Sequence, residues 1–120
     1  MNGEGPVDLR RRTRRFAVRS IHLSKLIERS DEGSIIRRQF LRSATSVGAQ
    51  YREACRARSD AEFISKLESS SQELDETQYW LELLIEAKLA EHDQLIDLLD
   101  EADQLIRIFT TIVKNRKAAQ

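Results

Sequence analysis

The residues with the chemistry to form a metal centre or a nucleophile are few and far apart. The chain holds two histidines and one cysteine, His22, His92 and Cys55. Redox chemistry in a helical protein typically uses Glu-x-x-His pairs that project inward together. Three positions before His22 stands Arg19, and three before His92 stands Leu89, so neither histidine completes such a pair. No spacing matches a zinc set either. His22 is expected on the basic or boundary face of a first helix, and His92 in the turn that opens a fourth. Cys55 has Arg52 and Arg56 nearby, which favour a thiolate, but no histidine stands beside it in sequence. A packed, inert thiol at the core edge is therefore expected over a nucleophile. Gly48 has no glycine near it, so no phosphate-cradling loop can form. Glu73 and Glu76, at i,i+3, could serve as an acid/base or metal pair. Beside a core seam such acids more often meet an arginine from a neighbouring helix. No catalytic residue, metal ligand or cofactor is expected, and the chain reads as non-enzymatic.

Arginine is the residue type left with something to do. Residues 1–58 carry 14 Lys and Arg against 6 Asp and Glu, and residues 59–120 carry 6 against 14. The net charge of zero thus conceals a basic first half and an acidic second half. On the first helix Arg11, Arg12, Arg15 and Arg19 are expected to point away from Leu9, Phe16 and Leu23. On the second, Arg38, Arg42, Arg52 and Arg56 are expected opposite Ile36, Val47 and Tyr51, with Thr45 and Ala49 leaving that face open. Arginines at helical spacing can follow a phosphate backbone, giving salt-sensitive contact with RNA or DNA that ignores base sequence. The competing use is pairing with the acidic helices. Pairing accounts for part of the second helix more easily than for the dense Arg10–Arg15 cluster.

The elements that must position these side chains are helices. Gly3, Gly5, Pro6 and Gly33 precede a helix or separate two, and only Gly48 falls inside one. Turn residues are too sparse for a strand-rich fold. Apolar and small residues recur at heptad spacing in four segments. Helix one is predicted over Val7–Arg29, with Gly33 terminating it. Helix two is predicted over Ser34–Ala57 and helix three over Asp60–Leu89, started by a Ser59/Glu62 capping box. The seam of helix three is Phe63, Leu67, Ser70, Leu74, Thr77, Leu81, Leu84 and Lys88, small or polar in its middle. Helix four follows an Ala90–His92 connection and ends near Lys117, where cations suit the helix dipole. Ser43, Ala44, Ser46, Gly48 and Ala49 keep helix two thin, so that a neighbouring backbone can come near.

Short connections force neighbouring helices to run oppositely, so the expected fold is all-α, an antiparallel up-down-up-down four-helix bundle. Residues 1–6 are expected as a flexible N-terminus and 7–118 as one domain. A long coiled-coil hairpin dimer is the alternative, disfavoured because all four helices carry an inward stripe. Helix three is apolar on more than one side. Ile64, Tyr79, Trp80, Leu83 and Ala87 are therefore expected at a subunit interface, the competing reading being that Trp80 only caps the core. No segment has the length of a membrane span and the N-terminus has no apolar signal region, so a cytoplasmic location is expected.

Residues 41–84 also carry a resemblance. Leu41-Arg42-Ser43, Thr45-Ser46-Val47-Gly48-Ala49, Tyr51-Arg52-Glu53-Ala54, Arg58-Ser59, Glu62-Phe63, Lys66-Leu67, Glu76-Thr77 and Tyr79-Trp80-Leu81-Glu82-Leu83-Leu84 resemble the signature of a family of small bacterial four-helix bundle proteins. That family is named for members encoded in intervening sequences of 23S ribosomal RNA genes. A related branch is the accessory variability determinant of diversity-generating retroelements. Gln50 stands where the family usually has Asn, so nothing tied to that amide carries over. The resemblance implies a four-helix protomer assembled as a homo-oligomer, commonly a pentamer, with nucleic-acid binding as its role. It supplies no catalytic residue. Its retroelement branch implies a different role, a scaffold that recruits a nucleic-acid enzyme such as a reverse transcriptase.

Overall fold

Side-chain caps mark where three of the four helices of this chain begin, and the fourth starts at His92 without one. The computed structural model describes residues 8–120. The flexible N-terminus expected over residues 1–6, and Val7 as a first helical residue, lie outside the described residues. Four helices follow, α1 (Leu9–Ser24), α2 (Asp31–Cys55), α3 (Asp60–Glu86) and α4 (His92–Ala118), with no strand among the described residues. Asp8, Ser30 and Ser59 each accept from the backbone N–H three residues on, at Arg11, Gly33 and Glu62. These bonds satisfy donors that the first helical turn leaves free. The capping box at α3 is modified. The Glu62 carboxylate accepts from the Arg58 N–H at 3.2 Å, one residue before the cap.

At the α1–α2 and α3–α4 turns the helix ends differ from the sequence expectation, each for a physical reason. α1 stops at Ser24, not Arg29, because the Arg37 guanidinium donates to the carbonyls of Ser24 (3.0 Å) and Ile27 (2.9 Å). The carbonyls that would have continued the helix are thereby bonded from outside it. Gly33 does not terminate α1; it is the third residue of α2. A Cβ there would lie 2.1 Å from the Glu28 carbonyl oxygen, so this turn closes only around a glycine. At the α3–α4 turn, Lys88 lies outside the seam predicted for it. It takes a left-handed conformation (φ 59°) just past α3. The Lys88 N–H donates to Ile85 at 3.0 Å and the Leu89 N–H to Leu84 at 2.9 Å. Those two bonds, with Leu84 and Leu89 both buried, form a Schellman ending. The Glu28 N–H donates to the Leu89 carbonyl at 2.8 Å and ties this turn to the α1–α2 turn.

All four helices share one core. Phe16, Phe40 and Phe109 from α1, α2 and α4 are fully enclosed, as are Leu67, Leu74, Leu81 and Leu84 along α3. Each such side chain contributes about 1.5–3 kcal/mol by leaving water. The small and polar middle of the α3 seam packs on α2. Ser70 donates to the Val47 carbonyl (2.7 Å), and Thr77 donates to Ser43 Oγ (2.8 Å). These cross-helix polar contacts form only in this alignment, so the layer favours one register of α3 on α2. Gly48 keeps α2 thin where α1 crosses it; a Cβ there would stand 3.2 Å from Thr13 Oγ1. No described helix is long and apolar enough to cross a membrane.

Candidate functional site

Exposed positive charge gathers on α1 and α2, and its distribution depends on which arginines find a carboxylate. Arg12 does not point outward as its spacing suggested. It faces α4 and forks onto Glu101, with Nε at 2.7 Å and Nη2 at 2.9 Å. The Glu101 hydrogen bond raises the Arg12 pKa above its ordinary value. Arg42 is also engaged, bridging Glu73 (3.3 Å) and Glu76 on α3. The acids at 73 and 76 therefore meet an arginine from the neighbouring helix, and the acid/base alternative has no support here. Among the described residues, Arg10, Arg11, Arg14, Arg15, Arg19, Arg38, Arg52 and Arg56 form no ion pair. All of these are exposed except Arg19, which is partly covered.

Three of these arginines share a groove between α1 and α2. Its lining is Arg10, Thr13, Arg14, Ala17, Thr45, Gly48, Ala49 and Arg52, enclosing about 190 Å³. Thr45 and Ala49 are exposed, as the open face predicted for them requires. Arg10 and Arg14 were not singled out from the sequence. Their i,i+4 spacing with each other, and i,i+3 from Arg14 to Ala17, carried the signal, because such residues share one side of a helix. Arg38 lies elsewhere on α2, and Arg56, the residue that follows α2, borders a second depression with Glu53, Arg58, Glu62 and Lys66.

The remaining reactive groups stay apart. Cys55, expected to be packed, is exposed at the last residue of α2. Its neighbour Tyr51 is pushed well above the ordinary tyrosine range, by burial first and then by the Cys55 thiol. The Tyr51 ring stacks on Phe109 at 5.6 Å, which holds it in the packed interior. His22 is exposed in the last turn of α1 and His92 opens α4, 3.2 Å from its neighbour Asp93. No three His, Cys, Asp or Glu side chains converge on a metal-sized site among the described residues.

The residues predicted for a subunit interface divide. Ile64 is 8% exposed and belongs to the protomer's own core, so it offers nothing to a neighbour. Trp80 is half-buried against that core, and its Nε1 donates to Glu76 at 3.0 Å. Tyr79 is exposed and meets Trp80 edge-on at 5.0 Å. Leu83 is half-buried and Ala87 exposed. Tyr79, Leu83 and Ala87, at i, i+4 and i+8, leave an outward stripe on α3.

Together these features describe a small all-α protein of four helices with a basic face on its first two. The chain belongs to the 23S rRNA-intervening sequence protein family, whose profile matches residues 7–111. It is similar to a crystallised protein of unknown function from the S23 ribosomal protein family of Bacteroides thetaiotaomicron VPI-5482. The two share 34% identity with a TM-score of 0.83, over 89% of this chain and 99% of that one. Among curated proteins, none matches the chain.

Proposed function

We propose that this is a non-enzymatic, cytoplasmic nucleic-acid-binding protein that uses the basic face of α1 and α2. Its fold is an antiparallel up-down-up-down bundle that assembles into a homo-oligomer, a pentamer by analogy with the resemblance noted above. The cross-helix contacts support the antiparallel order. Lys66 meets Glu53, Ser70 meets Val47 and Thr77 meets Ser43, so α3 numbers rise as α2 numbers fall. Lys117 with Glu68 and Arg116 with Asp60 relate the C-terminal end of α4 to the first turns of α3 in the same sense.

The observation that carries the binding reading is the set of unpaired arginines. The acidic half of the chain is within reach, yet it engages only Arg12 and Arg42 from α1 and α2 through their side chains. Cations left solvated on one face are available to displace counterions from a phosphate backbone. Anisotropy of a labelled duplex RNA or DNA tests this directly. The logarithm of affinity should fall linearly and steeply with that of salt, with little change between base sequences. A wild-type protein that retains neither duplex at low salt overturns the reading.

A scaffold that recruits a nucleic-acid enzyme, such as a reverse transcriptase, is the second reading. It is favoured by apolar exposure, since Val18, Ile21, Leu26 and Ile35 are 43–57% exposed around the α1–α2 turn. A neighbouring reverse-transcriptase gene, with no nucleic-acid retention, would put it first.

A further inference from the structure

We propose that the α1–α2 groove is a built seat for the phosphates of a nucleic-acid backbone, walled by Arg10, Arg14 and Arg52. This rests on the binding reading above and names the place and the recognised chemistry. The groove's walls are cationic and its floor is small, made of Ala17, Thr45, Gly48 and Ala49. Close approach of Thr13 to Gly48 sets the depth of that floor. The hydroxyls of Thr13 and Thr45 donate to the carbonyls of Leu9 and Leu41, each at 2.7 Å, so the floor offers no free donor of its own. Binding strength must come from the guanidinium walls.

The carboxylates next in sequence to the walls are committed elsewhere. Asp8 caps the Arg11 N–H at 3.1 Å, and Glu53 is held by Lys66 at 2.7 Å. Three guanidinium groups around one groove exceed what a single carboxylate can engage, whereas successive phosphates each take a bidentate fork. Arg10 and Arg14 stand one helical turn apart, about 6 Å along the axis, which suits neighbouring charges on an extended backbone. No aromatic residue lines the groove, so bases have no platform to stack on and the backbone is the part that is read.

Ala49→Leu separates this seat from diffuse positive charge, because it fills the groove without changing a charge. Ala49 is exposed and helical, so the fold should tolerate leucine there. Full-length protein is titrated against labelled duplex RNA and duplex DNA of roughly 20 base pairs, a length that spans several groove contacts. Ala49→Leu should bind both at least about tenfold more weakly, with helicity and mass unchanged. Replacing Arg10, Arg14 and Arg52 by Gln should flatten the salt slope by about 2–3, and replacing Arg11 and Arg15 by less. Should Ala49→Leu lose helicity, Thr45→Leu fills the same groove from its other side. Wild-type affinity in the filled variant, with wild-type duplex binding intact, overturns the seat and leaves the basic-face reading standing. Absence of duplex binding by the wild type overturns both. A lower oligomer mass in the Arg-to-Gln variant makes the groove an interface between copies and also overturns the seat. Pyrophosphate bound at matched ionic strength by a wild type that retains neither duplex assigns the groove to a short free anion, against the proposal.

Discussion

Glu76 takes two donors at once, the Arg42 guanidinium and the Trp80 indole N–H. The Arg42 bond first, and the Trp80 bond after it, hold its carboxyl below the usual Glu value. A carboxyl depressed in the folded state stabilises the fold above its unfolded pKa. That stabilisation is lost as pH falls through the lower, folded value. Because the chain has a single tryptophan, Trp80 fluorescence reports this event directly. The emission should hold steady from neutral pH to below the ordinary Glu value of about 4.3 and change only beneath it. Glu76→Gln should remove that acidic transition, and a midpoint at or above the ordinary value would contradict the assigned pairing. That Glu73 and Glu76 meet an arginine of a neighbouring helix was legible in the sequence, because they flank the α3 seam; that this arginine is Arg42, expected on the open basic face, was not. The Arg12 pairing was not, since its partner Glu101 lies 89 residues away and only the tertiary fold brings them together. Cys55 was misread for a related reason: its spacing places it near the core edge, but the helix ends there and leaves it exposed.

At the scale of elements, the helices and their inward faces were readable because burial repeats with helical period. The turns were less so. A glycine between two helices looks alike in sequence whether it ends one or begins the next. Gly33 begins α2, and what requires glycine there is the Glu28 carbonyl, a backbone atom with no freedom to move aside. Lys88 shows the converse, since it holds the left-handed position after α3 where glycine is the usual residue. Substitution at the two turns should therefore act with opposite signs. Gly33→Ala should lower stability by about 1–3 kcal/mol, the usual cost of forcing extra volume into a closed site. Lys88→Gly should raise it by about 0.5–1 kcal/mol, by relieving the left-handed strain of a residue that carries a Cβ. Urea midpoints at constant m-value measure both. A neutral Gly33→Ala would mean that the turn can open without cost, which the 2.1 Å approach argues against.

For the whole molecule, zero net charge is a sum over two unlike halves, with the excess of basic residues strongest on α1 and that of acidic residues strongest on α3. Such a protomer can bury part of its acidic side against copies of itself while its basic face stays solvated. The stripe of Tyr79, Leu83 and Ala87 lies on acidic α3, away from the α1–α2 groove lining, so assembly through it would not occupy the groove. Ile64 drops out of the proposed contact because the protomer's own core claims it, while half-buried Trp80 keeps an exposed part beside Tyr79. The sequence could show that α3 is apolar on several sides but not which side the bundle itself covers. Sedimentation at micromolar concentration should give a mass several times the 13.9 kDa protomer, and a monomer would sink the assembly proposal. Tyr79→Glu should reduce that mass while leaving helicity unchanged, because the ring is 55% exposed in the protomer and no core contact is lost. The same variant should weaken duplex binding without altering the groove. Copies held in one assembly present several basic grooves to one duplex, and avidity raises affinity without adding a contact. If Tyr79→Glu lowers the mass yet binds duplex as tightly as the wild type, each protomer binds alone and assembly contributes nothing to affinity.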